Sequence, residues 1–272
     1  MDEFVPLDFA AAWQAFTDQR HRVTRTDEDD RAMWASFAGQ YDERTRFSDG
    51  IQAHLESLVR PGDTVLDVGA GTGRMTLPLA RIARRVTALD HSPAMLDVLR
   101  RKMIQQEVSN IKVVETTWQE AKVPPHDMVI AIWSLYRQPD ILTALRKLVD
   151  ATRRTLVIAD GDSGLRPSHE MPHAALLADI WGNKGDGIPN YLYFAGMLWQ
   201  IGVRADVRVI YEERTYQGAT PSDIARQLTP AHATSEQIEY FAVQAKRLFR
   251  QNGGGYSYRY TVPVGIVTWS RT

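Results

Sequence analysis

Through the first sixty positions the apolar residues recur at helical spacing. Phe9, Trp13 and Phe16 form one stripe, the charged stretch from Arg20 to Arg31 reads as a linker, and Trp34, Phe37, Ala38 and Tyr41 form a second stripe. A third helix is predicted from Ser48 to Val59, stopped by Arg60-Pro61-Gly62. Beyond that the pattern changes to short apolar runs separated by helical stripes. The runs predict strands at 64–68, 86–90, 111–114, 127–132 and 155–160, with helices at 74–84, 93–107 and 140–150. Strand and helix in alternation imply crossover units, a parallel sheet and helices on both of its faces.

After Asp160 the rhythm breaks. Residues 161–190 hold five glycines and three prolines around one apolar patch from Ala174 to Trp181, the pattern of an inserted loop with a short helix. A helix from Tyr191 to Ile201, a strand from Val203 to Arg214, helices at 221–228 and 235–251, and a last strand from Tyr258 to Ser270 complete the chain. Two long strands separated by helices predict an antiparallel edge. The expected fold is α/β: a Rossmann-like, doubly wound, mostly parallel sheet with that edge and an added helical lid. The expected division is an N-terminal helical cap at 1–60 and a main domain at 61–272, with insertions at about 161–190 and 216–254.

Composition narrows the function. Hydrophobic residues make up 44% and charged residues 24% of the 272 positions, enough to bury a core. The formal net charge of −1 offers no general basic footprint, so a nucleic-acid partner is not expected. The absence of cysteine excludes disulfides, thiolate metal sites and a cysteine nucleophile, and no metal site is expected. The acidic start Met1-Asp2-Glu3-Phe4 lacks a signal-peptide pattern and no apolar run has membrane-spanning length, which predicts a cytoplasmic protein without membrane contact.

The most informative stretch is Val65-Leu66-Asp67-Val68 followed by Gly69-Ala70-Gly71-Thr72-Gly73. A buried strand running into alternating glycines is a turn where the chain bends tightly and a ligand lies against bare backbone. Dinucleotide-binding turns place their third glycine one residue later; that position is Arg74, which cannot offer the same close approach. The second apolar run ends in Asp90, an acid at a strand tip able to accept two hydrogen bonds from a ribose diol. Asp90-His91-Ser92-Pro93-Ala94-Met95-Leu96 continues it, and Trp34 to Asp42 reads W-x-x-x-A-x-x-Y-D.

Together these features resemble the class I S-adenosylmethionine-dependent methyltransferases: the G-x-G-x-G turn, the spaced acid with its D-x-S-x-x-M-L continuation, and the preceding W-x-x-x-A-x-x-Y-D helix. The resemblance covers about residues 33–160 by motif and the remainder by topology. It implies S-adenosylmethionine as donor, S-adenosylhomocysteine as product, and Asp67, Gly69, Ala70, Gly71, Gly73, Asp90, His91, Met95, Thr117, Trp118 and Trp133 as its binding residues. The chain departs from the family after the third strand, where an acid and a small residue usually contact adenine. Thr117 and Trp118 stand there, offering a hydroxyl acceptor and a flat stacking surface.

Several positions carry two readings. Asp67 either organises its turn or approaches the donor's methionine amine; Met95 is either core or an adenine contact. Trp34 and Phe37 read as cap packing. Tyr41 and Tyr136 are the candidate catalytic residues, with Tyr136 in the Trp133-Ser134-Leu135-Tyr136 segment after the fourth strand and Asp160 a further candidate after the fifth. His126 and Asp127 read as structural, while His169 and His173 lie in the glycine-rich insertion, where a histidine is usually solvated. The expected activity is methyl transfer to a small acceptor by in-line displacement, within a helical lid and with tyrosines 41, 136, 191 and 193 as flat walls. The rivals are a donor-binding protein without transfer activity and a nicotinamide-dependent oxidoreductase.

Overall fold

The computed structural model describes residues 7–20, 27–44, 49–136, 138, 140–161, 171–181, 190–229 and 233–271. The chain begins with helices α1 (Phe9–Arg20), α2 (Asp27–Phe37), α3 (Tyr41–Arg44) and α4 (Asp49–Leu58), with a single 3-10 turn, Ala38–Gln40, between α2 and α3. The charged stretch expected as linker up to Arg31 is helical from Asp27 onward. Glu28 and Asp29 fall in the first turn of α2, where carboxylates are favoured by the exposed amides and the helix dipole.

Alternation then follows the apolar pattern: β1 (Thr64–Val68), α5 (Thr76–Ala80), β2 (Arg85–Asp90), α6 (Pro93–Gln105), β3 (Ile111–Glu115), β4 (His126–Ile132), α7 (Ile141–Asp150) and β5 (Thr152–Gly161). Helix α5 is much shorter than the predicted 74–84, because the glycine turn holds the chain out of regular helix as far as Met75. Asp140 caps α7 by accepting the Thr143 N–H at 3.1 Å. The later elements are α8 (Ala174–Trp181), α9 (Asn190–Gln200), β6 (Asp206–Gly218), α10 (Pro221–Leu228), α11 (Ser235–Ala245), β7 (Arg250–Asn252) and β8 (Gly255–Ser270). The predicted helix at 235–251 therefore ends early, in a 3-10 turn (Lys246–Leu248) that leads into β7.

The sheet is mixed, in the order β3-β2-β1-β4-β5-β8-β6, with β7 paired antiparallel to β8. Strands β1 to β5 pair in parallel, with Val65 opposite Val86 on one side and Met128 on the other. The order reverses between β1 and β4, so the carboxyl ends of these strands form the switch-point crevice where open α/β sheets bind ligands.

The chain divides into two compact units. The first comprises residues 1–160, 190–210 and 265–272; the second comprises 161–189 and 211–264. In the first, Leu66, Val129 and Leu156 of adjacent strands are fully buried, and Trp13 of α1 packs against Tyr193 and Phe194 of α9 at ring-centroid distances of 5.5 and 5.2 Å. In the second, α10 and α11 each begin with a reciprocal cap, Thr220 with Asp223 and Thr234 with Gln237. His173 also lies there and is not solvated: it is buried, its Nδ1 is 2.9 Å from the Tyr258 hydroxyl, and its ring lies 4.4 Å from that of Tyr260. Burial pushes its pKa down to about 4, so the imidazole is neutral in the folded unit. His169 and most of the insertion at 161–190 lie outside the described residues. No described helix is long and apolar enough to cross a membrane.

Candidate active site

The glycine turn takes its shape from three left-handed residues. Gly69, Gly71 and Gly73 have φ of +79°, +54° and +82°, a region that costs any side-chain-bearing residue energy. Their surroundings differ. A Cβ on Gly69 would lie 2.3 Å from the Ser134 Cβ, and one on Gly73 would lie 2.3 Å from Leu99 Cδ1. At Gly71 only the mobile end of Met95 comes near, at 3.3 Å. The turn is tied down from β2, since the Gly69 and Ala70 amides both donate to the Leu89 carbonyl, at 2.8 and 3.0 Å.

Asp90, at the tip of β2, faces this turn. One carboxylate oxygen accepts the Gly71 N–H at 2.9 Å and the other accepts the Ser92 N–H at 2.8 Å. Each oxygen keeps lone-pair capacity for a further donor. Burial raises the Asp90 pKa, and the two amides and neighbouring His91 oppose that rise.

These groups border a cleft of about 430 Å³ in the first unit, of a size that suits a small ligand. It brings together Tyr41, Gly69, Gly71, Asp90, His91 and Met95 with Thr117, Trp118, Trp133 and Tyr136. Trp133 adopts φ of +56°, rare for a bulky residue, with its N–H donating to Ala159 at 2.9 Å. Next to it the Ser134 hydroxyl donates to the Val68 carbonyl at 2.6 Å, joining the ends of β4 and β1. Trp118 is nearly buried; its indole N–H donates to the Ala144 carbonyl at 3.1 Å and the Lys147 ammonium lies 4.6 Å from its ring centroid. The Thr117 hydroxyl is engaged by Glu120, donating to its carboxylate at 3.0 Å and accepting its N–H at 3.3 Å.

Three of the expected donor-binding residues do not line the cleft. Ala70 is buried within the turn, and Gly73 faces α6 through Leu99. Asp67 lies beneath the turn, accepting the Thr76 hydroxyl at 2.6 Å, so of its two readings the geometry supports the organising one. Tyr191 and Tyr193, expected as cleft walls, also lie elsewhere: Tyr193 is buried against Trp13 and the Tyr191 ring packs over Gly265. In the other direction, Trp34 and Gln138 line the cleft without having been assigned to it, while Ser134 lines it as part of the Trp133-to-Tyr136 segment. The signal of these two in the sequence was positional only, since Gln138 follows a strand end and Trp34 lies in a helix that reads as cap.

The N-terminal helices are clipped to the turn by polar contacts. Asp42 accepts the Thr72 hydroxyl at 2.7 Å and pairs with Lys102 at 2.5 Å, while Lys102 also donates to the Thr72 carbonyl at 2.9 Å. Arg74 donates to the Tyr41 hydroxyl at 3.1 Å and lies 5.3 Å from its ring centroid. Beneath these contacts Ala38 packs with Met95 and Val98, flanked by Trp34 and Tyr41. The residue that takes the place of a dinucleotide-type third glycine thus positions a wall of the cleft.

Asp67 makes stability pH-dependent. Burial, reinforced by Asp90, raises its pKa to about 7 against the Thr76 hydrogen bond and Arg74. The folded state therefore holds a proton that the unfolded state releases near pH 4, so this group's contribution is greatest below that pH and is lost as pH rises through 7. Three pKa units correspond to about 4 kcal/mol. Asp67→Asn keeps an acceptor for Thr76 and cannot ionise. Denaturant titrations at pH 5 and pH 8 are expected to show a gain in stability over the parent at pH 8 that shrinks at pH 5.

Such a glycine turn, acidic strand tip and switch-point cleft define the class: an open α/β protein built to hold a nucleoside-bearing ligand. Residues 65–155 match the methyltransferase domain family. Among curated proteins, the chain is 30% identical over 73 residues to a probable ribosomal RNA small subunit methyltransferase A of Methanosphaera stadtmanae, covering 27% of each chain. It is 32% identical over 98 residues to magnesium-protoporphyrin O-methyltransferase of Rhodobacter capsulatus, covering 35% of this chain and 44% of that one. The match thus spans less than half of the length of either relative. Among solved structures, the YcgJ protein of Bacillus subtilis superposes with a TM-score of 0.54 at 16% identity, over 82% of this chain and 98% of that one, a likeness of fold. Residues 65–155 therefore form a methyltransferase domain, set in a Rossmann-like α/β fold.

Proposed function

We propose that the protein transfers a methyl group from S-adenosylmethionine to a small acceptor held in the cleft beside Tyr136 and Tyr41. The observation that carries the donor assignment is Asp90, a buried carboxylate held by the Gly71 and Ser92 amides with lone pairs left for a ribose diol. Gly71 presents bare backbone beside it, and Met95 and Trp118 offer apolar surface for an adenine. Bound there, S-adenosylmethionine supplies a sulfonium-activated methyl group that an acceptor lone pair takes by in-line displacement, leaving S-adenosylhomocysteine.

The chain's own residues contribute alignment and exclusion of water, which is most of what an activated donor requires. Trp133 and Tyr136 follow β4, on the side of the cleft where the acceptor would enter, and the Arg74 contact fixes Tyr41, which lines the same cleft. A small acceptor is favoured by the aromatic walls, by the modest volume of the cleft and by the chain's net charge of −1.

Tyr136→Phe removes one hydroxyl from the acceptor side. It is expected to lower kcat/KM for the acceptor roughly tenfold, while S-adenosylhomocysteine affinity measured by calorimetry stays within about twofold. The acceptor class itself is tested by offering radiolabelled donor in parallel to small-molecule extract, ribosomal RNA and protein. Label concentrated in RNA would overturn the small-molecule reading and leave the donor assignment standing.

A further inference from the structure

A second cavity opens at the opposite ends of the same strands. It has a volume of about 310 Å³ and lies among the amino ends of β1 to β4, away from the glycine turn. Arg84 and Arg85 enter it from the start of β2, Lys112 from β3, Lys122 from the loop before β4, and Arg153 from β5. Five cations from four parts of the chain therefore line one small concavity, and no aspartate or glutamate is in that lining. Against a whole-chain net charge of −1, this is a concentration of one sign.

The cations are available. All five are exposed, and Arg85, Lys112 and Lys122 make no ion pair among the described residues. The Arg84 side chain donates a long bond, 3.3 Å, to the Gly62 carbonyl. Arg153 meets Asp127 at 3.8 Å, but Asp127 is already committed to Thr64, accepting its N–H at 2.8 Å and its hydroxyl at 2.7 Å. The floor is rigid: His126 is fixed between the Thr87 hydroxyl at 3.0 Å and the Pro124 carbonyl at 2.7 Å. Burial and the positive charges of Arg153 and Lys112 lower the His126 pKa, against the Pro124 hydrogen bond and Asp127. Val114, Val123 and Pro125 supply an apolar wall beside the charges.

We propose that this pocket is a second binding site, distinct from the donor cleft, for a compact phosphate-bearing anion. Clustered cations, of which only Arg153 meets a carboxylate among the described residues, raise the local concentration of an anion, and arginine forks match phosphate oxygens in pairs. The concave shape and small volume favour a compact anion over a polynucleotide, which needs an extended basic track rather than a pit.

The test is calorimetry on the full chain with pyrophosphate as probe, at low and at 0.2 M salt. Saturable binding that weakens with salt is expected. The Lys112→Ala/Lys122→Ala variant should bind pyrophosphate at least about tenfold more weakly, with unchanged circular dichroism and unchanged S-adenosylhomocysteine affinity. Both lysines are exposed, so the fold is not at stake. Absence of pyrophosphate binding to the parent protein, or equal binding by the variant, overturns the proposal. So does a single-stranded RNA that binds more than tenfold tighter than pyrophosphate and loses that advantage in the variant, because the surface would then be a nucleic-acid site.

Discussion

Asp90→Ala is expected to weaken S-adenosylhomocysteine binding at least about tenfold without unfolding the protein. The carboxylate spans the turn and the start of α6 through the Gly71 and Ser92 amides, and on the proposed reading its remaining lone pairs take both ribose hydroxyls. A hydrogen bond to a charged acceptor contributes about 1.5–3 kcal/mol, so loss of two exceeds the 1.4 kcal/mol that separates tenfold steps in affinity. The side chain is almost buried, so water replaces it poorly. Removing its charge also lowers the Asp67 pKa, since Asp90 is one of the groups that raise it. The titration of Asp67, followed through the pH dependence of stability, therefore shifts to lower pH in the same variant. Unchanged calorimetric affinity in a folded Asp90→Ala protein would remove the basis for the donor assignment.

The parallel sheet and its crevice were legible because the signals are local. Each strand from β1 to β5 is a short apolar run bounded by turn residues, and the predicted spans agree with the observed ones to within a few residues at each end. The turn was equally plain, since three glycines at alternating positions have few other physical uses. Side-chain direction was less so. Asp67 and Asp90 both sit near strand ends in acid-bearing motifs, yet one turns under the loop to Thr76 and the other faces the cleft. Pleat and twist decide that difference, and an apolar pattern does not encode it. His173 was misplaced for a related reason. Its surroundings in sequence are glycine and proline, whereas its packing partners, Tyr258 and Tyr260, lie more than eighty positions away. Arg74 shows the same limit in reverse: the sequence told what it is not, a glycine, and the fold showed its bond to Tyr41.

The alternating glycines are expected to fail in different ways. Gly71→Val places a branched side chain at φ of +54° on the cleft wall, where the nearest obstacle is the flexible tip of Met95 at 3.3 Å. The backbone strain costs roughly 1–3 kcal/mol, which a chain of this size tolerates. On the proposed reading the new methyl groups occupy the space beside Asp90 that the donor needs, so S-adenosylhomocysteine affinity is expected to fall at least about tenfold while the protein stays folded. Gly73→Val meets a different wall. Its Cβ would lie 2.3 Å from Leu99 Cδ1, and Leu99 is fully buried on α6, so the helix must move or the core must repack. With φ of +82° adding strain, a loss of roughly 3 kcal/mol or more is expected, or a fall in Tm on the order of 10 °C. Paired thermal melts and calorimetry separate the two. If Gly71→Val melts early and Gly73→Val binds poorly at full stability, the assignment of Gly71 to the ligand and Gly73 to the core is reversed.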